Sequence, residues 1–413
     1  MHVQQKLQLR PETPVQDAGF SADSQSLWTV HDELHVRRWD TETGAEQCRL
    51  DPWNSPIPSR FVSPAWDWDR RRARACVSAC GRYLLALLPE TEHGTVFSRV
   101  FSLESLEIIT VNYGLCWFSS QPGVLTKGHG KQLAATAKIA DVEPSSFSHL
   151  HDLAADQYLH ELAFLPQSHR RFCLSPDRRH VASWQGWQEH NTILPPRANE
   201  VSVWDIADQS RTSRFEFEQN RPLAGHQDAI FDALFLVGED PRLVTTSRKE
   251  SWGSASDEHN ALVWDFASAE PLFALEGLCR SAVHVKSTPC GKMLLTLSAH
   301  DTIREAFVRV FDAASGRALF QTASHRTQQL PPYACGVDAM AVSADSRYLA
   351  TLCSNTGRVH VTALDDATLL ASYDVAVSDN ETDRQALLRF SPDSSQLLVA
   401  VSHACIEVRR LAD

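Results

Sequence analysis

Short apolar runs separated by small polar residues recur along the whole of this chain, and they come in two repeating forms. The first is an apolar run, a Ser- or Thr-led turn and a second apolar run. It reads AGFSADSQSLWTV at 18–30, ACVSACGRYLLAL at 75–87, FCLSPDRRHVASW at 172–184, VHVKSTPCGKMLLTL at 283–297, MAVSADSRYLATL at 340–352 and LRFSPDSSQLLVAV at 388–401. Pro, Asp, Gly and Ser supply turn geometry that the flanking β-formers do not, so each phrase predicts strand, tight turn, strand. The second form follows some way on: LHVRRWD, SRVFSLE, EVSVWDI, ALVWDFA, FVRVFDA, RVHVTALD and CIEVRRL in chain order. A fourth run comes after a further turn, as EQCRL, EIITV, SRFEF, PLFAL, ALFQT and LLASY. The repeating unit is therefore a four-stranded antiparallel meander with a period of roughly 40–50 residues.

Two weaker hairpins, AIFDALFLVGEDPRLVTTS at 229–247 and LCWFSSQPGVLTK at 115–127, bring the unit starts to eight. Trp39–Asp40, Trp204–Asp205 and Trp264–Asp265, the Gly225–His226 pair before the fifth unit and the Ser-x-Asp turns together resemble the WD-repeat β-propeller family over nearly the whole chain. The resemblance implies an all-β fold, a closed β-propeller of four-stranded antiparallel blades, with eight blades favoured over the seven of the commonest members. It also implies a hydrogen-bonded His–Thr–Trp framework in the fifth blade, from His226, Thr245 or Thr246, and Trp264, with Asp257 as a weak fourth member. Phe311 and Thr362 stand where other units have Trp, and no other Gly-His opens a unit, so the remaining blades are expected to rely on apolar packing.

The units fall at 12–51, 72–112, 113–142, 170–220, 222–277, 279–324, 333–376 and 384–413, the last completed by 1–10, all in one domain. The eighth unit lacks a fourth strand while HVQQKLQL is spare at the start, so that N-terminal strand is expected to complete the last blade and remove two open edges. In such a meander the turns joining strands one to two and three to four share one end of the sheet, and those turns are short throughout. The insertions, at 51–72, 143–169, 185–199, 248–260 and 299–305, are expected on the other end. Long loops on a rigid scaffold are a usual seat of function.

Five of the eleven tryptophans lie in those insertions, namely Trp53, Trp66, Trp68, Trp187 and Trp252, with Trp184 at the mouth of one. Arg70, Arg71 and Arg72 follow directly on WDWD. Trp and Arg are the residues most enriched at binding hot spots, which makes these eight residues the candidate partner-binding set. The competing reading is that the tryptophans fold back as lids over the blade ends. Two further groups carry polar chemistry. Glu189–His190–Asn191 and Glu258–His259–Asn260 occupy corresponding loops of adjacent units and read either as turn residues or as a metal or acid–base pair. His149, His151, His160 and His169 lie in the 143–169 insertion, where HDLAADQYLHELAFL has apolar residues at helical spacing.

Composition narrows the function. A formal charge of −12 works against the phosphate backbone of nucleic acid, and no apolar run is long enough to cross a bilayer. The start lacks an apolar leader core, which points to the cytoplasm. Ten scattered cysteines without a CxxC pair read as small buried hydrophobes. No Gly-rich phosphate loop, GxSxG elbow or HExxH is present, so neither catalytic residues, cofactor nor metal is assigned. The reading is a non-enzymatic scaffold, a monomeric propeller within a complex that binds a protein partner; the alternative is a propeller enzyme or small-ligand protein using the same face or the central channel.

Overall fold

The structure, a computed structural model, describes residues 2–412 apart from 11–12, 14, 32–34, 53–73, 90–95, 114–115, 119–123, 129–146, 155–156, 162–170, 185–199, 209, 216–225, 227–229, 237–241, 248–260, 266–267, 276–281, 300–305, 326–335, 378–383 and 403–404. The described residues form eight four-stranded antiparallel sheets. The first is built from Val15–Phe20, Ser26–His31, Val36–Asp40 and Glu46–Leu50, the second from Arg74–Val77, Tyr83–Pro89, Val96–Ser102 and Ile108–Tyr113. The third takes Cys116–Phe118, Val124–Gly128, Phe147–Asp152 and Gln157–Glu161, and the fourth Arg171–Leu174, His180–Trp184, Val201–Asp205 and Ser210–Phe215. The fifth comprises Ile230–Phe235, Arg242–Ser247, Ala261–Asp265 and Glu270–Ala274; the sixth Ala282–Ser287, Met293–Ala299, Ala306–Asp312 and Ala318–Gln321. The seventh is Tyr348–Cys353 flanked by Ala339–Val342 and Arg358–Ala363, with Leu369–Asp374 outermost. The eighth joins Arg384–Phe390, Gln396–Ser402 and Cys405–Ala412 to the N-terminal strand His2–Leu9, with His2 opposite Ala412 and Leu9 opposite Ile406. That pairing is the one expected from the spare N-terminal run.

The chain divides into two compact units, 1–165 with 378–413 and 166–377, each holding four sheets. In the unit of the chain ends, Trp28, Val30 and Val36 of the first sheet pack on Val77, Leu84 and Phe101 of the second. Leu398, Ile406 and Val408 of the eighth pack on Ala18, Phe20 and Leu27 of the first. In the other unit the fourth sheet packs on the fifth, the fifth on the sixth and the sixth on the seventh in the same manner. Second strands are covered on both faces, which is why SLWTVH and YLATLC are buried along their full length and read as nearly continuous apolar runs. Fourth strands such as LLASYD and ALFQ are mostly exposed.

Polar links join neighbouring first strands. Asp17 of the first sheet is buried, accepts from the Val77 N–H of the second at 2.8 Å and pairs with Arg389 of the eighth at 2.9 Å. Gly19 makes room for that arginine, since a Cβ there would come within 2.9 Å of its Nη1. In the other unit Asp232 accepts from the Val285 N–H, and the Lys286 ammonium donates to the Met340 carbonyl.

One feature unites all eight sheets and had no sequence signal. The third and fourth strands slip register by one residue at the same place, so that the fourth strand carries one extra residue. These are Gln47, Ile109, Leu159, Thr212, Leu272, Leu319, Leu370 and Lys6 in sheet order. A bulge of this kind bends the edge strand and spoils it as a template for further pairing. It also accounts for two of the three large exposed apolar residues among the described ones, Leu272 at 45% and Leu319 at 38%.

The third sheet corrects the sequence reading. Phe147–Asp152 and Gln157–Glu161 are its third and fourth strands, not a helical part of an insertion at 143–169, and the unit extends beyond 142. The helical spacing arises because the tight turn after Asp152 and the extra residue Leu159 each shift the strand alternation. The long connection of this sheet is 129–146, between its second and third strands, which places it at the same end as the other insertions.

Candidate functional site

The bulge defines a reference position on every third strand, occupied in sheet order by Trp39, Phe101, His151, Trp204, Trp264, Phe311, Thr362 and Arg409. Opposite each on the second strand stands a leucine or, once, valine: Leu27, Leu84, Leu125, Val181, Leu243, Leu294, Leu349 and Leu397. Where their side chains are described these are fully buried. Two residues further along the second strand, on the same face, a hydroxyl meets the tryptophan. Trp264 Nε1 donates to Thr245 Oγ1 at 2.8 Å, and His226 Nε2 lies 2.6 Å from the same oxygen. The structure thus selects Thr245 over Thr246. Asp257 lies outside the described residues.

The expectation that other sheets rely on apolar packing is corrected in three of them. In the first, Trp39 Nε1 donates to Thr29 Oγ1 at 2.8 Å, and His31 Nε2 is 2.7 Å from that hydroxyl. In the fourth, Trp204 Nε1 donates to Ser183 Oγ at 3.0 Å. In the seventh, where Thr362 replaces tryptophan, His325 Nε2 is 2.9 Å from Thr351 Oγ1. Only spacing could have betrayed them: His31 sits two residues from its hydroxyl on one strand, and His325 follows a serine instead of the usual glycine. The sixth sheet keeps the apolar form, with Phe311 fully buried and Thr296 Oγ1 without a hydrogen-bond partner among the described residues.

The residue after the reference position caps the turn to the fourth strand. Asp40 Oδ1 accepts from the N–H groups of Glu42 and Thr43 at 2.9 and 2.8 Å; Asp205, Asp265, Asp312 and Asp152 do the same for their turns. The Asp208 N–H leads the groups that hold the Asp205 carboxyl below its ordinary range. The Trp-Asp phrase is thereby explained: one residue reaches into the sheet-to-sheet packing, the next closes the turn.

The turns between first and second strands are as strictly built. Ser21 Oγ accepts from the Ser26 N–H at 2.9 Å and donates to Asp23 Oδ1 at 2.5 Å, and the Asp23 carboxylate accepts from the Gln25 N–H. Ser175–Asp177, Ser343–Asp345 and Ser391–Asp393 repeat this arrangement. The residue after the acid has a left-handed backbone: Ser24, Arg178, Ser346 and Ser394 near φ +60°, or Gly81 and Gly291. At Gly81 the choice is forced twice, since a Cβ would also stand 2.1 Å from the Phe20 carbonyl of the neighbouring turn.

The described turns that join first to second and third to fourth strands are therefore short and capped, and the insertions leave from the other end of their sheets. At that end the described residues are anchors. Arg99 is buried and its Nη1 donates to the Pro52 carbonyl at 2.7 Å, fixing the root of the 53–73 segment. Burial lowers the pKa of that guanidinium, and the Asp51 carboxylate opposes the shift. Trp184, at the mouth of 185–199, is 3% exposed and packs with Cys173, Val201 and Ile230, so it belongs to the core. The candidate anchors Trp53, Trp66, Trp68, Arg70, Arg71, Arg72, Trp187 and Trp252 lie outside the described residues, as do both Glu-His-Asn triplets and His169. His149, His151 and His160 lie on the last two strands of the third sheet. Among the described residues no group of three or more His, Cys, Asp or Glu is placed to hold a metal, and no helix is long and apolar enough to cross a membrane.

Comparison with solved structures finds this architecture along the full chain. The C-terminal WD40 domain of Sif2 superposes with a TM-score of 0.63 at 13% identity, covering 100% of this chain and 99% of that domain. The computationally designed Ika8 protein gives 0.61, also at 13% identity, over 99% and 100%. The likeness is one of fold, and it bears out the resemblance to WD-repeat β-propellers read from the turns and the Trp-Asp pairs. No family profile matches the chain, and no curated protein sequence matches it.

Proposed function

We propose that this chain is a non-enzymatic, cytoplasmic protein-interaction scaffold: one closed ring of eight blades that binds a protein partner through its insertion-bearing face. The observation carrying this reading is the asymmetry between the ends of the sheets. Short turns capped by Ser and Asp leave little to vary at one end, while the connections 53–73, 129–146, 185–199, 248–260 and 300–305 all leave from the other. The WD40 fold adds support, because most WD-repeat proteins assemble complexes, although fold alone implies no chemistry. Trp53, Trp66, Trp68, Trp187 and Trp252, with Arg70, Arg71 and Arg72, are the proposed anchors.

The test separates anchors from lids. Replacing Trp66 and Trp68 together by Ala should abolish co-purification of partners from the native cell while leaving the melting midpoint unchanged, since truncating a true anchor costs about 2 kcal/mol or more of binding. A midpoint several degrees lower with binding retained would make them lids and sink the reading. Arg317→Ala and Arg347→Ala, in the capped turns, should leave binding intact. The ring is tested separately. Deleting residues 1–10 strips an eight-residue strand from the eighth sheet and should lower the urea midpoint of the 1–165 and 378–413 unit; an unchanged midpoint refutes closure by that strand.

A further inference from the structure

Sheets with a tryptophan at the reference position use it to reach the second-strand hydroxyl. The seventh sheet, having Thr362 there, reaches it with His325, on which His360 stacks. His325 lies on the chain leaving the sixth sheet, and His360 on the third strand of the seventh opposite Thr351. Their rings stack with centroids 4.1 Å apart and 20° between planes, and both are buried, at 1% and 4% exposure. His325 Nδ1 lies 3.0 Å from the Arg358 carbonyl, which can only accept, so this nitrogen carries the proton. Nε2 must then accept from the Thr351 hydroxyl at 2.9 Å. His360 in turn bonds the Ala323 carbonyl, and its Nδ1 has no hydrogen-bond partner among the described residues. The bonds are reciprocal: residue 325 reaches to 358, and residue 360 reaches back to 323. On its other side the same stretch is tied to the sixth sheet, where the Thr322 N–H donates to the Val308 carbonyl at 2.9 Å.

We propose that the stacked His325–His360 pair is an acid-released clasp that fastens the segment 322–325 to the seventh sheet at neutral pH and lets it go as either ring takes up a proton. The geometry disfavours charge on either ring. A proton on His325 Nε2 turns that acceptor into a donor, so the Thr351 hydroxyl can no longer donate to it, and a second cation would lie 4.1 Å face to face with the first. The charged groups that reach the pair are Arg358, two residues along the strand, and Asp374 on the fourth strand. Arg358 and Asp374 hold each other through contacts of 2.9 and 3.2 Å, so the carboxylate is already engaged. Asp338, at the start of the first strand, is turned to Ser354.

Burial, the neighbouring imidazole and Arg358 push His325 down to about 3, and burial also lowers His360. Both rings are therefore neutral in the closed segment and return to an ordinary value near 6.5 when it opens into water. Because the closed-state values are depressed, the closed state keeps its full advantage above about pH 6.5 and loses it as pH falls below that, through His325 by roughly tenfold per pH unit down toward 3.

The test is amide hydrogen exchange of the whole chain at pH 7.5 and 5.5, corrected for intrinsic rates. Protection of residues 320–325 should fall by about tenfold or more between the two, while the strand Tyr83–Pro89, in a sheet without histidine, stays within about twofold. Replacing both rings, His325→Gln with His360→Gln, keeps an N–H donor at each place but removes both titrations, and should shrink the fall in 320–325 to threefold or less. Unchanged protection of 320–325 in the wild type, or an equal fall in Tyr83–Pro89, overturns the proposal. Should that double variant fail to fold, the wild-type ratio of the two segments decides alone.

Discussion

The fifth and sixth sheets have the same strand lengths within two residues, the same bulge and the same fully buried leucine opposite the reference position. Yet the fifth runs a chain of hydrogen bonds from Trp264 through Thr245 to His226, and the sixth puts Phe311 in place of the tryptophan and leaves Thr296 Oγ1 without a partner among the described residues. The reference position thus needs a large apolar body for sheet packing. The hydrogen-bonded chain is a separate layer that one sheet carries and its neighbour does without. A buried hydroxyl is an asset only where something donates to it or accepts from it; alone it is a desolvated polar group.

Two isosteric substitutions turn that contrast into numbers. Thr245→Val removes the hydroxyl that serves two partners and leaves Trp264 Nε1 and the His226 ring buried without it; unfolding in urea should show a loss of about 2–3 kcal/mol. Thr296→Val, the same change one sheet on, removes a hydroxyl that makes no hydrogen bond among the described residues. Its effect should lie within about 0.5 kcal/mol of zero or be stabilising. Equal losses at the two sites would mean that the threonines act through packing, and the comparison would fail.

The same contrast explains what the sequence could reveal. Turn chemistry is local, so the Ser-x-Asp hairpins and the Trp-Asp pairs mark their strands directly: Ser21, Asp23 and Asp40 bond within five positions of themselves. The last two strands of the third sheet were hidden because its Trp-Asp pair is worn to His151–Asp152, and the turn and Leu159 imitate a helical period. His31 and His325 were missed for another reason. Their common target is a hydroxyl at one fixed register position, but they approach it from a strand in one case and from an inter-sheet segment 26 positions away in the other. The bulge left no mark because its extra residue is as varied as Gln47, Thr212 and Leu319. The proposed anchors were legible only as an excess of Trp and Arg in insertions, a matter of composition that carries no geometry.

The left-handed serines show a trade within the capped turns. A non-glycine residue in this conformation is disfavoured by roughly 1–2 kcal/mol, yet Ser24 and Ser346 stand where Gly81 and Gly291 stand elsewhere. Each hydroxyl accepts the backbone N–H of a neighbouring turn, Ser24 from Asp393 and Ser346 from Cys290, a bond glycine cannot offer.

The pairing of His2–Leu9 with Cys405–Ala412 also sets a schedule. A hairpin partner emerges within seconds of its mate, but Gln8 and Cys405, in contact across this ladder, are 397 positions apart. The strand His2–Leu9 must therefore wait, unpaired, while the residues up to Cys405 are made. Bringing its ends together over such a span is entropically harder than closing a ten-residue loop by about 3 kcal/mol, and the eight-residue ladder with its apolar face against the first sheet has to offset that. His2–Leu9 is made long before its partner Cys405–Ala412, so the eighth sheet cannot have its fourth strand until both exist.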